Sequence, residues 1–170
     1  MTPPTLTTER LILRPPVRAD FGPFAAILAS DRARFMGAPM DAPRAWRAFA
    51  VGVAQWALSG FGAWTVEERA TAAYCGDVGL LHPAHYPEVE LGWTLTAAAE
   101  GRGIAREAAA AARTWAFASL GLAALVSYID AGNARSVRLA ERLGAHPDPG
   151  AGRPDPEDLV YRHPGPEGRA

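Results

Sequence analysis

Two hydrophobic rhythms alternate along the chain, one of period two and one close to 3.6. Residues 8–15 set Leu11 and Leu13 against Ile12 and Arg14, a strand ended by two prolines. Asp20 fits the N-cap of a helix running to about residue 28, with Phe21, Phe24 and Leu28 on one side. Residues 31–43 read as a loop. Asp41 then caps a second helix with Pro43 in its first turn. Trp46, Phe49, Val53, Trp56 and Ala57 form its apolar stripe, and Gly60 follows it. Three strands are expected next, at 62–67, 73–81 and 89–95, with a turn at 68–72 and a loop at 82–87. Gly76 and Gly79 suggest a bulge or a close backbone approach in the second of them. From Ile104 the period lengthens, with apolar residues at 104, 108, 111, 115 and 118. A buried strand at 123–129 and a helix at 133–143 closed by Gly144 come after it. A loop at 146–157, a last strand at 159–161 and a frayed tail at 164–170 complete the chain. With no repeat and no internal linker, residues 1–170 read as one domain with a core at about 6–163.

The junction between the two rhythms carries the chemistry. Leu91, Trp93 and Leu95 alternate, Gly101 and Gly103 break the chain, and a helix starts at Ile104. Glycines there leave backbone N–H groups free and unobstructed, and the helix dipole adds positive charge, so the turn suits a phosphate or pyrophosphate. Arg102 and Arg106 can add charge-assisted bonds. The dinucleotide fingerprint requires a third Gly or Ala where Arg106 stands, and a Walker A loop requires a lysine that the chain lacks.

Composition narrows the classes. The chain has 170 residues, 49% hydrophobic and 21% charged, with a net charge of −1, which suits a soluble globular protein with no basic field for nucleic acid. All 17 basic residues are arginine, read as codon bias. No apolar run reaches membrane-spanning length, and the first four residues lack the features of a signal peptide, so a cytoplasmic location is expected. The single cysteine, Cys75, excludes an intrachain disulfide and reads as buried filler in a strand. No His/Cys/Asp cluster has metal-ligand spacing.

The glycine turn resembles the acyl-CoA loop of the GNAT superfamily of N-acetyltransferases, Gln/Arg-x-x-Gly-x-Gly/Ala, with Ala98 in the place of Gln or Arg. The opening Thr-x-Arg-Leu-x-Leu-Arg-Pro is similar to the RimJ/RimL-type branch of ribosomal-protein-alanine N-acetyltransferases. So is Asn133-Ala134-Arg135-Ser136 followed by Leu139 to Gly144. The resemblance implies an α+β fold. A mostly antiparallel sheet of six to seven strands is flanked by about four helices and splayed between the strands that flank the central helix. It also implies acetyl-CoA as cosubstrate, no metal, and direct attack by a primary amine on the thioester. The amine belongs to a protein N-terminus or to a small molecule such as an antibiotic. A homodimer is compatible with it.

On that resemblance pantetheine bonds to backbone around Trp93, Thr94 and Leu95, and the pyrophosphate rests on Gly101, Arg102, Gly103, Ile104, Ala105 and Arg106. Asn133, also a natural N-cap, holds pantetheine, and Ser136 bonds the cofactor or protonates the leaving thiolate. Glu90 is the expected base, with Glu88 on the same face by period two. His82 and Tyr86, in the loop before that strand, line the acceptor site with Glu88. Many GNAT enzymes carry a tyrosine acid where this chain has Ala140, so Ser136 is placed ahead of Tyr128 and Tyr86 as its substitute. Two other classes remain open: an acyl-CoA-binding module without catalysis, and a nicotinamide oxidoreductase.

Overall fold

A computed structural model describes residues 3–37 and 39–166; the first two residues and the last four of the expected tail lie outside the described residues. Eight strands form one sheet. They are β1 (Leu6–Thr7), β2 (Leu11–Arg14), β3 (Ala63–Glu68), β4 (Tyr74–Leu81), β5 (Glu90–Leu95), β6 (Ala124–Asp130), β7 (His146–Pro147) and β8 (Asp158–Pro164). Their spatial order is β1-β2-β3-β4-β5-β6-β8-β7, and every junction is antiparallel except β5–β6. The count exceeds the expected six to seven because β1 and β7 are two-residue edge strands, too short to show a period. The tail also begins later than expected, since the Gly165 N–H donates to the Ala123 carbonyl at 3.0 Å.

Four helices cover the sheet: α1 (Phe21–Leu28), α2 (Ala42–Ser59), α3 (Ile104–Trp115) and α4 (Ala134–Arg142). The central α3 buries Ile104, Ala108 and Ala112 against Leu11, Leu13, Val66, Val78, Leu80 and Leu91. Alanines at the contact let the helix sit close to the sheet, and this turns the buried stripe to 104, 108, 109 and 112. Ala111 and Trp115 are therefore half-buried, and Ala118 is exposed in the wider π turn that ends the helix. Trp56, Trp64 and Trp115 meet at centroid distances of 4.7 to 5.7 Å, joining α2, β3 and α3. The indole N–H groups of Trp56 and Trp64 donate to the Ala63 and Pro4 carbonyls, both at 2.8 Å.

Asp41 caps α2 as expected, accepting the Arg44 N–H at 2.9 Å, and Gly60 closes it in the left-handed region. Its buried face, however, is Ala45, Phe49, Gly52, Gln55 and Trp56. Trp46 and Val53 are 38% and 39% exposed, because Gly52 faces Ala63 too closely for a larger residue to occupy that line. Asp20 makes no capping bond either. Its carboxylate takes two bonds from the Arg14 guanidinium at 2.8 and 2.9 Å, one from the Val17 N–H and one from the Thr65 hydroxyl.

That carboxylate anchors a buried polar network. A bulge opposite Val66 and Glu67 leaves Cys75 extra, so Tyr74 and Asp77 share a face. Gly76 turns the chain there at φ 141°, with no room for a Cβ beside the Thr94 carbonyl. Tyr74 donates its hydroxyl to Asp77, and Arg14 also holds Glu67 at 2.9 Å. Burial opposes the charge on Asp20, but the bonds from Arg14, Val17 and Thr65 outweigh it and keep the carboxyl below its ordinary range. Asp77 has no cation of its own, and burial raises it to about 7. Cys75 is buried, as its strand setting implied.

Removing Asp20 would strand the half-buried Arg14 guanidinium. Asp20→Ala is expected to cost about 3 kcal/mol. A urea titration should show a lower midpoint with an unchanged slope.

Candidate active site

The parallel junction of β5 with β6 is where the sheet opens. Only Glu90 and Val126 are paired across it, and the Val126 N–H donates to the Val89 carbonyl at 3.1 Å. In a parallel ladder the next bond would run from the Tyr128 N–H to the Leu91 carbonyl. That bond is missing. The Leu91 carbonyl instead accepts the Ser127 hydroxyl at 2.6 Å. Beyond this point the two strands part. By the period of two, the backbone of Trp93 faces the gap on the same side as Leu91 and Leu95. Thr94, one residue on, is cross-strand from Asp77 on β4.

Glu90 thus stands at the closed end of the gap. Glu90 is partly buried, and this desolvation raises its carboxyl to about 7 against the pull of the nearby Tyr128 N–H, with Asp158 adding repulsion. Gly92 lies next to it: a Cβ there would sit in ordinary contact, 3.7 Å from the Glu90 carboxyl. Tyr86 and Tyr128 meet edge-on at 5.3 Å beside it. Burial and the Glu90 charge both push the Tyr86 hydroxyl well above its ordinary range. A carboxylate near neutral pKa, with aromatic walls and an open strand edge, is equipped to take a proton from a bound group.

At the far end, Gly101 and Gly103 adopt left-handed φ of 70° and 78°, and Gly103 precedes the first residue of α3. The first bond of the helix runs from the Glu107 N–H to the Gly103 carbonyl, so the amides of Ile104, Ala105 and Arg106 lack helical acceptors. A Cβ on Gly101 would meet nothing, which leaves the turn open to an anion. Arg106 is exposed, with no ion pair among the described residues. Arg102 is turned away: it pairs with Glu68 on β3, and its carbonyl accepts Arg10. Asn133 caps α4 by accepting the Ser136 N–H at 3.2 Å, leaving its amide N–H groups unused. The Ser136 hydroxyl accepts the Trp93 indole N–H at 3.2 Å, so its own proton is free to be donated.

The other expected residues have separate surroundings. Glu88 precedes β5 and is held by both Arg162 guanidinium nitrogens at 2.7 and 2.8 Å. Those bonds keep it ionised below its ordinary range, which removes it as a base and leaves it a structural anchor. His82 is exposed, and its backbone N–H donates to the buried Gln55. The Leu95 carbonyl accepts Arg32, which also pairs with Glu100; Glu100 in turn holds Arg135 on α4. This link from the turn after α1 had no signal in the sequence, because its members are 35 and 63 residues apart. Ser127 was equally hidden, inside a strand that read as plain core, and His163 lay just past the expected last strand at 159–161. Among the described residues no His/Cys/Asp/Glu group could hold a metal ion, and no helix is long and apolar enough to cross a membrane.

The architecture is shared with known proteins. A family model described as an acetyltransferase (GNAT) domain matches residues 10–146. The crystal structure of an acetyltransferase from Agrobacterium tumefaciens str. C58 superposes with a TM-score of 0.93 at 46% identity, covering 96% of this chain and 95% of that one. A Bordetella pertussis protein assigned to the GNAT family gives a TM-score of 0.78 at 25% identity, covering 94% and 99%. YkkB of Bacillus subtilis (strain 168) is 29% identical over 89 residues, 51% of this chain and 52% of that protein. The chain thus spans about half the length of that curated relative.

Glu90 has a higher pKa folded than unfolded, so the folded state binds the extra proton between about 4.5 and about 7. Stability is full below that window and is lost as pH rises through it. Glu90→Gln keeps the size and shape of the side chain without the charge. It should match the parent at pH 4 and exceed it above pH 7 by on the order of 2 kcal/mol, read from urea unfolding at several pH values.

Proposed function

We propose that this chain, which belongs to the GNAT acetyltransferase family, transfers an acetyl group from acetyl-CoA to a primary amine. The observation that carries the reading is the placement of Glu90 at the closed end of a strand gap whose other end meets the glycine turn of α3. The residues fit the cosubstrate. An unpaired strand edge at Trp93 suits pantetheine amides, the unused amide of Asn133 offers a further donor, and the left-handed glycines with the amides of Ile104, Ala105 and Arg106 suit a pyrophosphate. Acetyl-CoA supplies the acetyl group as a thioester.

The protein's own groups manage the protons. Glu90, raised to about 7, accepts the proton that the amine sheds as it attacks. Ser136 has its lone pair occupied by the Trp93 indole, so its proton is available to the departing sulfur. Tyr86 and Tyr128 form an aromatic wall beside the incoming amine. A protein N-terminus is the acceptor that the opening motif and the Asn-x-x-Ser segment favour, ahead of a small amine.

Calorimetry with acetyl-CoA, with NAD and free pantetheine as controls, tests the binding, and thiol release with a panel of amines and N-terminal peptides tests the turnover. Micromolar affinity for acetyl-CoA that neither control matches, with release of thiol, supports the reading. Binding without release for any amine would leave an acyl-CoA-binding module, and preferred binding of NAD would point to the oxidoreductase class.

Gly103→Val would put a branched side chain on a left-handed residue at the pyrophosphate turn. It should weaken acetyl-CoA binding at least about tenfold, with a circular dichroism spectrum like that of the parent.

A further inference from the structure

Beside Glu90 the next ladder acceptor is held by a side chain that has a dedicated partner of its own. Ser127 is 2% exposed and its hydroxyl donates to the Leu91 carbonyl at 2.6 Å. The same oxygen lies 3.0 Å from Nε2 of His163, which is fully buried on β8. A hydroxyl has one proton, and Leu91 takes it, so Nε2 must carry the hydrogen and donate to Ser127. Nδ1 is then a bare acceptor, in keeping with its lack of any partner. Leaving a buried ring nitrogen without a bond costs stability, and the one bond the ring makes serves to aim the Ser127 hydroxyl.

We propose that Ser127 and His163 are positioning residues that stop the β5–β6 ladder after one pair, and thereby hold open the acetyl-CoA gap. The stop works at the acceptor end of the missing bond, where the Ser127 hydroxyl holds the Leu91 carbonyl. Without the hydroxyl, the Leu91 carbonyl is left to the Tyr128 N–H, and the strands zip one step further. This inference rests on the acetyl-transfer reading for its kinetic consequences and on the ladder alone for its geometry.

The charged and titratable neighbours are few. Tyr86, Tyr128 and Asp158 face Glu90, and Arg113 on α3 and His146 on β7 act on His163. Burial first, then those two neighbours, lower His163 to about 4, so the ring is neutral and its tautomer fixed throughout the working range.

The test compares Ser127→Ala with Ser127→Thr and His163→Leu with His163→Gln, the second of each pair keeping a hydroxyl or an N–H donor. Ser127→Ala and His163→Leu are expected to raise the KM for acetyl-CoA by about tenfold, with the KM for the amine changed less than about twofold. Ser127→Thr and His163→Gln should recover most of the effect. A drop in thermal midpoint with unchanged KM would overturn the proposal. A readout without cosubstrate covers the case in which the protein binds no acetyl-CoA. Folded Ser127→Ala, or His163→Leu where the first variant folds poorly, should gain a through-hydrogen-bond NMR coupling between the Tyr128 nitrogen and the Leu91 carbonyl carbon that the parent lacks. If the parent already shows that coupling, or the folded variant does not gain it, the ladder stop is wrong whatever the activity; if it is gained while acetyl-CoA fails to bind, the stop stands and the acetyl-transfer reading falls.

Discussion

Every buried peptide group must find a partner, and between β5 and β6 that requirement shapes the molecule. One cross-strand pair joins these strands, whereas β4–β5 has six and β6–β8 has seven. The sheet is therefore two well-bonded halves meeting at a single backbone contact. Side-chain bonds such as Glu88–Arg162 and Trp93–Ser136 cross between the halves, and apolar packing joins them. Leu125 on β6 joins Leu91 and α3 in the main core, and Trp93 packs against both that core and the smaller cluster of Ile129, Ala140 and Tyr161. Burial fixes the distance between the halves, and the Leu91 and Leu95 carbonyls at the gap are satisfied locally by Ser127 and Arg32.

The half that contains β2, β3 and β4 is stiffened by a different device. Arg14, Asp20, Thr65, Tyr74, Asp77 and Glu67 form a connected set of bonds on the face away from α3. Arg14 and Asp20 are its centre, since removing either leaves the other without its main partner. It lies beneath the chain that leads into α1, and so fixes the start of the cover that Arg32 extends to the end of β5.

Much of this was legible in the residues. The alternation at Leu91, Trp93 and Leu95, the glycines and the change of period at Ile104 foretold a strand, an open turn and a helix in their true places, because each is set by neighbours in sequence. Asp41 and Asn133 read correctly as caps for the same reason. Asp20 did not. Its local context suits a cap, but a cation six residues earlier and a hydroxyl 45 residues later offered stronger bonds. Trp46 and Trp56 looked alike on a helical stripe, and only the close approach of Gly52 to Ala63 decides which is buried. Period two put Glu88 beside Glu90, yet the pairing of Glu88 with Arg162 depends on a strand 74 residues away. Ser127 and His163 gave no sign, since a serine and a histidine in apolar strands carry no local pattern.

A ladder that ends at a side chain, rather than at a backbone kink, gives relatives of this chain a simple way to diverge. A kink requires compensating changes along a strand, whereas a plug made of one hydroxyl can be lost or shifted by a single substitution. Sliding it by two residues would move the mouth of the slot by about 7 Å. The depth of the slot is then a heritable dimension that drift can lengthen or shorten in steps, with the rest of the sheet untouched.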